Sequence, residues 1–325
     1  MRDEKIKQFL KEYVAGEITP EELFDSNLLS TPEKLYINDE MLKDADRPEN
    51  WGIDDTFETR DPINKFDGPI FTWGTEKADE KFTPIEPHTL CVLAGDKGSG
   101  KTAYSFDFAI KNAENARVLY LSLEMTGAQI VRRIAINFAG ITKAEWRVKK
   151  NIPERKREAY FRKKKEIQDI RNLTTAGKID GERPTIKNIQ KIILENEPEI
   201  VIIDNLDIIQ TGETDDIKRQ ASIVRDLMWF TNEHNIPIIL IHHLSKGGDK
   251  SSMNSIRGSG KITDDADQVL MCYRKMEEEM TKEEAARFVI CEKKDRLFGV
   301  GGVHTFYFKS GTFVDQFEDY TGFNS

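Results

Sequence analysis

The chain is short of several things, and each shortage narrows what it can be. No segment approaches the roughly 18 unbroken apolar residues of a membrane span, so no membrane association is expected. Only three cysteines occur in 325 residues, Cys91, Cys272 and Cys291, each beside apolar strand-like residues and none in a C-x-x-C pair. Buried free thiols fit that spacing better than a zinc site or a disulfide framework. The opening MRDEKIKQFL lacks the apolar centre of a secretory leader, and its acids argue against a mitochondrial one. These shortages together imply a soluble, cytoplasmic protein. Internal repeats and low-complexity tracts are missing too, so a repeat architecture is not expected.

Positive charge is also in short supply, since the net charge is −9. That balance is uneven along the chain. Residues 1–60 hold 16 acidic and 8 basic side chains, which leaves −1 for residues 61–325. The larger part is nearly neutral, and local patches decide what it binds.

What is present is an alternation. Residues 1–60 contain two short amphipathic candidates, Glu4 to Val14 and Pro20 to Leu29, then a stretch rich in Pro, Asp and Asn. This is too little apolar material for an independent core, and it reads as an acidic arm or docking segment. Residues 61–325 form the main domain. Its strand candidates are Leu90 to Ala94, Val118 to Ser122, Ile200 to Asp204, Pro237 to His242, Gln268 to Tyr273 and Arg287 to Glu292, separated by helical stretches. Such alternation predicts an α/β domain with a mainly parallel sheet flanked by helices. A closing pair, Val303 to Phe308 and Thr312 to Phe317, reads as a hairpin. Between Lys143 and Lys165 lie eleven Lys or Arg and three Glu, either a solvated helix face or a nucleic-acid surface.

Gly95-Asp96-Lys97-Gly98-Ser99-Gly100-Lys101-Thr102 completes the pattern G-x-x-x-x-G-K-[ST] between a strand candidate and a helix candidate, Ala103 to Ile110. In that setting glycines let backbone N–H groups turn on a triphosphate at the positive end of a helix. Lys101 reaches the outer phosphates, and the Thr102 hydroxyl can ligate Mg²⁺. Ile200 to Asp204 is an aliphatic run ending in an acid, which suits Asp204 as the second Mg²⁺ ligand. Asn205 follows, so a neighbouring glutamate is missing there. Glu124, just past a different strand, is the candidate to orient water, against the plainer reading of an acid in a helix's first turn.

Other candidates lie farther on. His242 and His243 end a strand, where an imidazole can contact a γ-phosphate. The stretch Ser245 to Ser252 holds Lys246 and Lys250; it reads equally as a mobile surface loop and as a phosphate-contacting one. Lys294 and Arg296 are one residue apart on a strand and so point the same way, either as a fork for a γ-phosphate, in this subunit or a neighbouring one, or as a solvated strand end.

These residues, in this order over about 85–317, resemble the replicative helicases of the DnaB, phage and Twinkle type, hexameric motors with a RecA-like P-loop core. Leu121-Ser122-Leu123-Glu124-Met125 is similar to that family's S-L-E-M segment. Ile256-Arg257-Gly258-Ser259-Gly260, running on to Asp265-Ala266-Asp267, is similar to its L-R-x-S-G and D-A-D element. The resemblance implies ATP and Mg²⁺ as cofactors, Glu124 as catalytic base, His243 as γ-phosphate sensor, and Lys294 and Arg296 acting in trans across a subunit interface. It also implies Arg274 packing on the base, and Lys246, Lys250 and Arg257 in a DNA-contacting loop, with a second such loop near Thr211 to Arg219. It implies a homo-oligomer, expected to be a hexamer, working on single-stranded and forked DNA in a bacterial cell or a phage-infected bacterium. No primase module or full helical collar precedes the motor, so separate primase and loader proteins are expected. An ATP-dependent DNA helicase is the leading reading. A RecA-like recombinase and a DNA-independent KaiC-like ATPase are the alternatives.

Overall fold

The computed structural model describes residues 71–176, 184–244, 253–256, 259–274, 280–299 and 301–317. These belong to one unit that begins at Pro69. The acidic arm expected at 1–60 lies outside the described residues, as do Lys246, Lys250 and Arg257.

The elements run α1 (Glu76–Asp79), β1 (Leu90–Gly95), α2 (Lys101–Asn112), β2 (Val118–Ser122), α3 (Gly127–Phe138), α4 (Lys143–Arg147) and α5 (Glu154–Gln168). They continue with β3 (Leu173–Ala176), α6 (Ile186–Asn196), β4 (Ile200–Asp204), α7 (Asp216–His234), β5 (Ile238–His243), α8 (Ser259–Asp265) and β6 (Gln268–Tyr273). After α9 (Lys282–Ala286) the chain closes with β7 (Arg287–Asp295), β8 (Val303–Lys309) and β9 (Thr312–Val314). The nine strands make one sheet in the order β3-β2-β4-β5-β1-β6-β7-β8-β9. From β3 to β6 every pairing is parallel, and from β6 to β9 every pairing is antiparallel.

The central strands are unbroken apolar runs because helices cover both faces. Alternate side chains go to opposite layers. In β4, Ile200 and Ile202 join one core with Tyr104, Phe106 and Phe108 of α2 and Ile130 and Ile134 of α3. Val201 and Ile203 join the other with Ile189 and Ile193 of α6 and Val224 and Leu227 of α7. The antiparallel strands pack on α2 through aromatic rings: Tyr104 lies 5.2 Å from Phe306 and 5.4 Å from both Phe288 and Phe313. In the β8–β9 turn Ser310 and Gly311 both take positive φ, and Lys309 pairs with Thr312, as a two-residue hairpin of the primed type requires.

Edge strand β3 was not expected from sequence. Its residues, Leu-Thr-Thr-Ala, are intermediate or exposed and carry no apolar run. The three cysteines are free; Cys91 and Cys272 are buried, but Cys291, on the outer part of the sheet, is half-buried rather than buried. Among the described residues no helix is long and apolar enough to cross a membrane.

The aromatic cluster fixes α2, and with it the loop that precedes α2. Phe306→Ala is expected to cost about 3–5 kcal/mol. A urea titration should show a lower midpoint with an unchanged slope.

Candidate functional site

Parallel strands end together, and here the ends of β1, β2, β4 and β5 gather the sequence-predicted groups on one edge of the sheet. The Gly95–Thr102 loop links β1 to α2. Gly98 and Gly100 take φ of +84° and +109°, where glycine is the residue without a steric penalty. Gly95 is needed for closeness instead: a Cβ there would run into Sγ and the carbonyl of Cys272 on β6. Thr126, Thr142, Thr185, Asp215 and Thr281 cap α3, α4, α6, α7 and α9 with their side chains. The N-terminus of α2 starts from Gly100 and has no side-chain cap. Helix α5, which starts from Pro153, shares that lack, but of the two only α2 follows a glycine-rich loop, the setting in which uncapped N–H groups can bind an anion.

Lys101 is buried, and its Nζ donates to the carbonyls of Gly95 at 2.6 Å and Asp96 at 2.7 Å. Burial holds its pKa below the usual lysine value, against the pull of Cys272 and of Asp204, Asp96 and Asp207. At the end of β4, buried Asp204 accepts a hydrogen bond from Tyr120 Oη at 3.1 Å and another from the Thr102 hydroxyl. Burial is the largest influence on its carboxyl and raises the pKa, with Glu124 adding to the rise and Lys101 opposing it. Tyr120 Oη also lies 2.9 Å from Ser105 Oγ on α2, so one phenol ties β2, β4 and α2.

Glu124 stands two residues before Thr126, the N-cap of α3, so it lies ahead of the helix rather than in its first turn. Its Oε1 accepts from Asn205 Nδ2 at 2.8 Å. Asn205, which in sequence marked only a missing glutamate, is buried and aims the exposed carboxylate. His243 pairs in register with Gly95. Its Nδ1 lies 2.7 Å from Asp207 Oδ2, and Gln220 donates to Asp207 Oδ1 at 2.9 Å.

A cavity of about 580 Å³ opens beside the loop, lined by Gly98 to Gly100, Glu124, Arg274 and Phe288 among others. Arg132 and Arg133 of α3 line it too. Sequence reading missed both; a basic pair eight and nine residues past Glu124 was the available signal.

Lys294 and Arg296 are elsewhere. Gly95 pairs with Cys272 at the far end of β6, whereas Gln268, where β6 begins, pairs with Asp295. Five residues at about 3.3 Å each put Arg296 roughly 16 Å along the sheet from the loop. Both cations face the same way, onto the C-terminus of α8. Lys294 Nζ donates to the carbonyls of Thr263, Asp264 and Ala266 at 2.6, 3.0 and 2.7 Å. Arg296 donates to the carbonyls of Asp264 and Asp265 and pairs with Asp267 at 2.9 Å. Asp267 also accepts from the Leu90 N–H at 2.8 Å, so the D-A-D element clasps the start of β1 to the cation pair.

Two basic features of the sequence look different in place. Arg219 turns inward, donating to the Ile209 carbonyl and to Asp216, which leaves the exposed part of 211–218 acidic. In the Lys143–Lys165 run, Lys156, Lys163 and Lys165 pair with Glu145, Glu166 and Asp169 at 2.9, 2.5 and 2.6 Å. These pairs account for three of the run's eleven cations, and Lys143, Arg147, Lys149 and Lys150 stand exposed.

The raised Asp204 pKa has a stability consequence. In the folded protein the neutral carboxyl is favoured, so stability falls as pH rises from the unfolded carboxylate pKa through the folded one. Asp204→Asn is therefore expected to raise the melting temperature of nucleotide-free protein in chelator at neutral pH, with the gain shrinking as pH drops below the carboxylate range. A scan of melting temperature against pH checks the sign.

Comparison with known proteins agrees with the geometry. The family described as DnaB-like helicase C terminal domain matches residues 71–317. A probable plasmid replicative DNA helicase of Chlamydia trachomatis is 30% identical over 223 residues, covering 63% of this chain and 47% of the relative. The replicative DNA helicase DnaB of Geobacillus stearothermophilus is 26% identical over 237 residues, covering 67% of this chain and 51% of the relative. The chain thus spans about half the length of the curated relatives it matches. Among solved structures, an isolated ATPase domain superposes with a TM-score of 0.70 at 20% identity, over 83% of this chain and all of that one. A DnaB-like replicative helicase described with its primase interactions gives 0.67 at 19%, over 97% of this chain and 77% of that one. The fold is therefore the RecA-like α/β fold of these ATPases, and the chain belongs to the DnaB-like helicase C terminal domain family.

Proposed function

We propose that this chain is the motor of an ATP-driven replicative DNA helicase, and that its ATP site is completed by a second copy. The observation that carries the reading is a separation along the sheet: the loop, Asp204 and Glu124 share one edge, while Lys294 and Arg296 lie toward the other.

The residues present fit a magnesium nucleotide. The uncapped start of α2, the buried Lys101 and the Thr102–Asp204 pair together supply donors, a cation and two oxygen ligands beside a cavity large enough for a nucleotide. When bound, Mg²⁺ would neutralise charge on the phosphate oxygens, held by Thr102 and Asp204. Lys101 exchanges its two loop carbonyls for phosphate oxygens, and Arg274 packs on the base.

Glu124, aimed by Asn205, accepts a proton from the attacking water. The water oxygen bonds to the γ-phosphorus as the bond to the bridging β–γ oxygen breaks, giving ADP and phosphate. Arg296 and Lys294 of a neighbour stabilise the developing charge, a contribution of about 10³ to 10⁵ in rate where arginine fingers act. His243, held by Asp207 and next in register to Gly95, passes loss of the γ-phosphate to the segment beyond Leu244, where Lys246, Lys250 and Arg257 grip the DNA backbone. Repeated around a ring, expected to be a hexamer, this moves single-stranded DNA and parts a fork.

Lys101→Ala is expected to abolish nucleotide binding or turnover, as measured by nucleotide titration and phosphate release; near-normal turnover would refute the loop assignment. Arg296→Ala is expected to keep nucleotide binding and lose at least about 10³ in hydrolysis. Mixing it with Glu124→Gln should restore part of the activity through hybrid interfaces. An Arg296→Ala chain that melts far below wild type and is not rescued in mixtures would show instead that Arg296 only holds α8.

A further inference from the structure

His243 is held by a carboxylate, and that contact decides which of its nitrogens is left for a phosphate. Nδ1 lies 2.7 Å from Asp207 Oδ2. An ionised carboxylate only accepts, so Nδ1 carries the hydrogen of that bond. In the neutral ring the other nitrogen, Nε2, then has a lone pair and no hydrogen. Among the described residues none is bonded to Nε2, and the side chain is 24% exposed. Asp207 is itself fixed. Its Oδ1 accepts from Gln220 Nε2 of α7 at 2.9 Å, and its N–H donates to Asn205 Oδ1 at 3.0 Å. Gln220 is fully buried, and its own side-chain oxygen has no partner among the described residues. A buried oxygen left unpaired is costly, and the packing accepts that cost with the amide aimed at Asp207.

The pair sits beside the phosphate loop. His243 is opposite Gly95, the Leu244 N–H donates to the Gly95 carbonyl at 3.3 Å, and the charge of Asp207 reaches Lys101. The other charged or titratable groups around the pair come from several elements. They are Asp96 and Lys101 of the loop, Asp204 at the end of β4, Arg219 of α7, which donates to the Asp207 carbonyl at 3.5 Å, and His242, whose Nδ1 lies 3.7 Å from Asp207 Oδ1.

A bare Nε2 repels a phosphate oxygen, whereas an imidazolium donates to it. We propose that Asp207 is a positioning residue that makes His243 a proton-coupled sensor: the pair takes up one proton when a γ-phosphate is bound and returns it to solvent when that phosphate leaves. The inference rests on the reading in which His243 contacts the γ-phosphate. Unloaded, the pair is a neutral imidazole and a carboxylate, with one net negative charge. Loaded, the proton from solvent sits on Nε2 and bonds a γ-phosphate oxygen, so the pair has no net charge and no covalent bond of the nucleotide changes. Asp207 favours this charged ring, as an opposite charge in contact does. The sign follows: a nucleotide that needs the protonated ring binds more weakly as pH rises, so the preference for triphosphate over diphosphate falls with pH.

The test titrates the full chain with ATPγS, a slowly hydrolysed analogue, and with ADP, each with Mg²⁺ at about pH 8, where their phosphates are ionised. Calorimetry in buffers of different ionisation enthalpy counts the protons taken up. More uptake is expected with ATPγS than with ADP, approaching one proton per site, and the ratio of the two affinities should fall by up to about tenfold per pH unit above that. His243→Gln, whose amide donates without titrating, should abolish the difference in uptake. Asp207→Asn should reduce it, and Asp207→Glu should keep part of it. Equal uptake for the two nucleotides in wild type, a comparison that needs no variant, overturns the proposal. So does uptake that Asp207→Asn leaves at the wild-type value. The underlying reading has its own readout: if His243→Gln matches wild type in affinity ratio and in turnover at every pH, the sensor role falls with the proposal, whereas an altered ratio with equal wild-type uptake removes the proton coupling alone.

Discussion

The parallel register of β2, β4, β5 and β1 is the constraint on which the site depends. It brings Ser122 opposite Asp204 and Gly95 opposite His243. Four strand ends therefore deliver a loop, two carboxylates and an imidazole to one edge without any long-range loop having to find them. The Tyr120 phenol, bonded to both Asp204 and Ser105, locks that edge to α2, the helix that follows the Gly95–Thr102 loop. Buried Asp204 and Lys101 are costly in this setting, since burial shifts both pKa values toward their neutral forms. Strongly shifted groups gathered at a cleft are a common mark of a functional site.

The antiparallel extension does the opposite job. By reversing direction at β7 the chain carries Lys294 and Arg296 back along the sheet, away from the loop beside which β6 ends. A cation pair so placed caps the C-terminus of α8 and lies about 16 Å along the sheet from the Gly95–Thr102 loop. The same reversal brings Leu297 and Phe298 to that edge. One structural choice thus separates the cation pair from the loop and places exposed apolar side chains next to it.

Much of this was legible in the sequence. The strands at 118–122, 200–204 and 268–273 were delimited by apolar runs bounded by polar residues, since strands buried on both faces have no alternation to blur. The loop motif carried its own context. What escaped reading was whatever depends on tertiary pairing. Strand β3 has no apolar signal because it sits at an edge, half in water. Asn205 could be read only as the absence of a glutamate until its amide was seen on Glu124. The partners of Arg219 and of the lysines at 156, 163 and 165 could not be read from the sequence, because helix packing and spacing set them. Arg296 pointed the expected way, but nothing in the residue order hinted that it rests on α8 and Asp267.

The central claim is that one chain holds only half of an ATP site. Phosphate release per chain, followed across a wide range of protein concentration alongside molecular mass by light scattering, tests it most directly. Turnover per chain is predicted to collapse on dilution at the concentration where the assembly falls to monomer. Constant turnover per chain from a species of monomeric mass would contradict it.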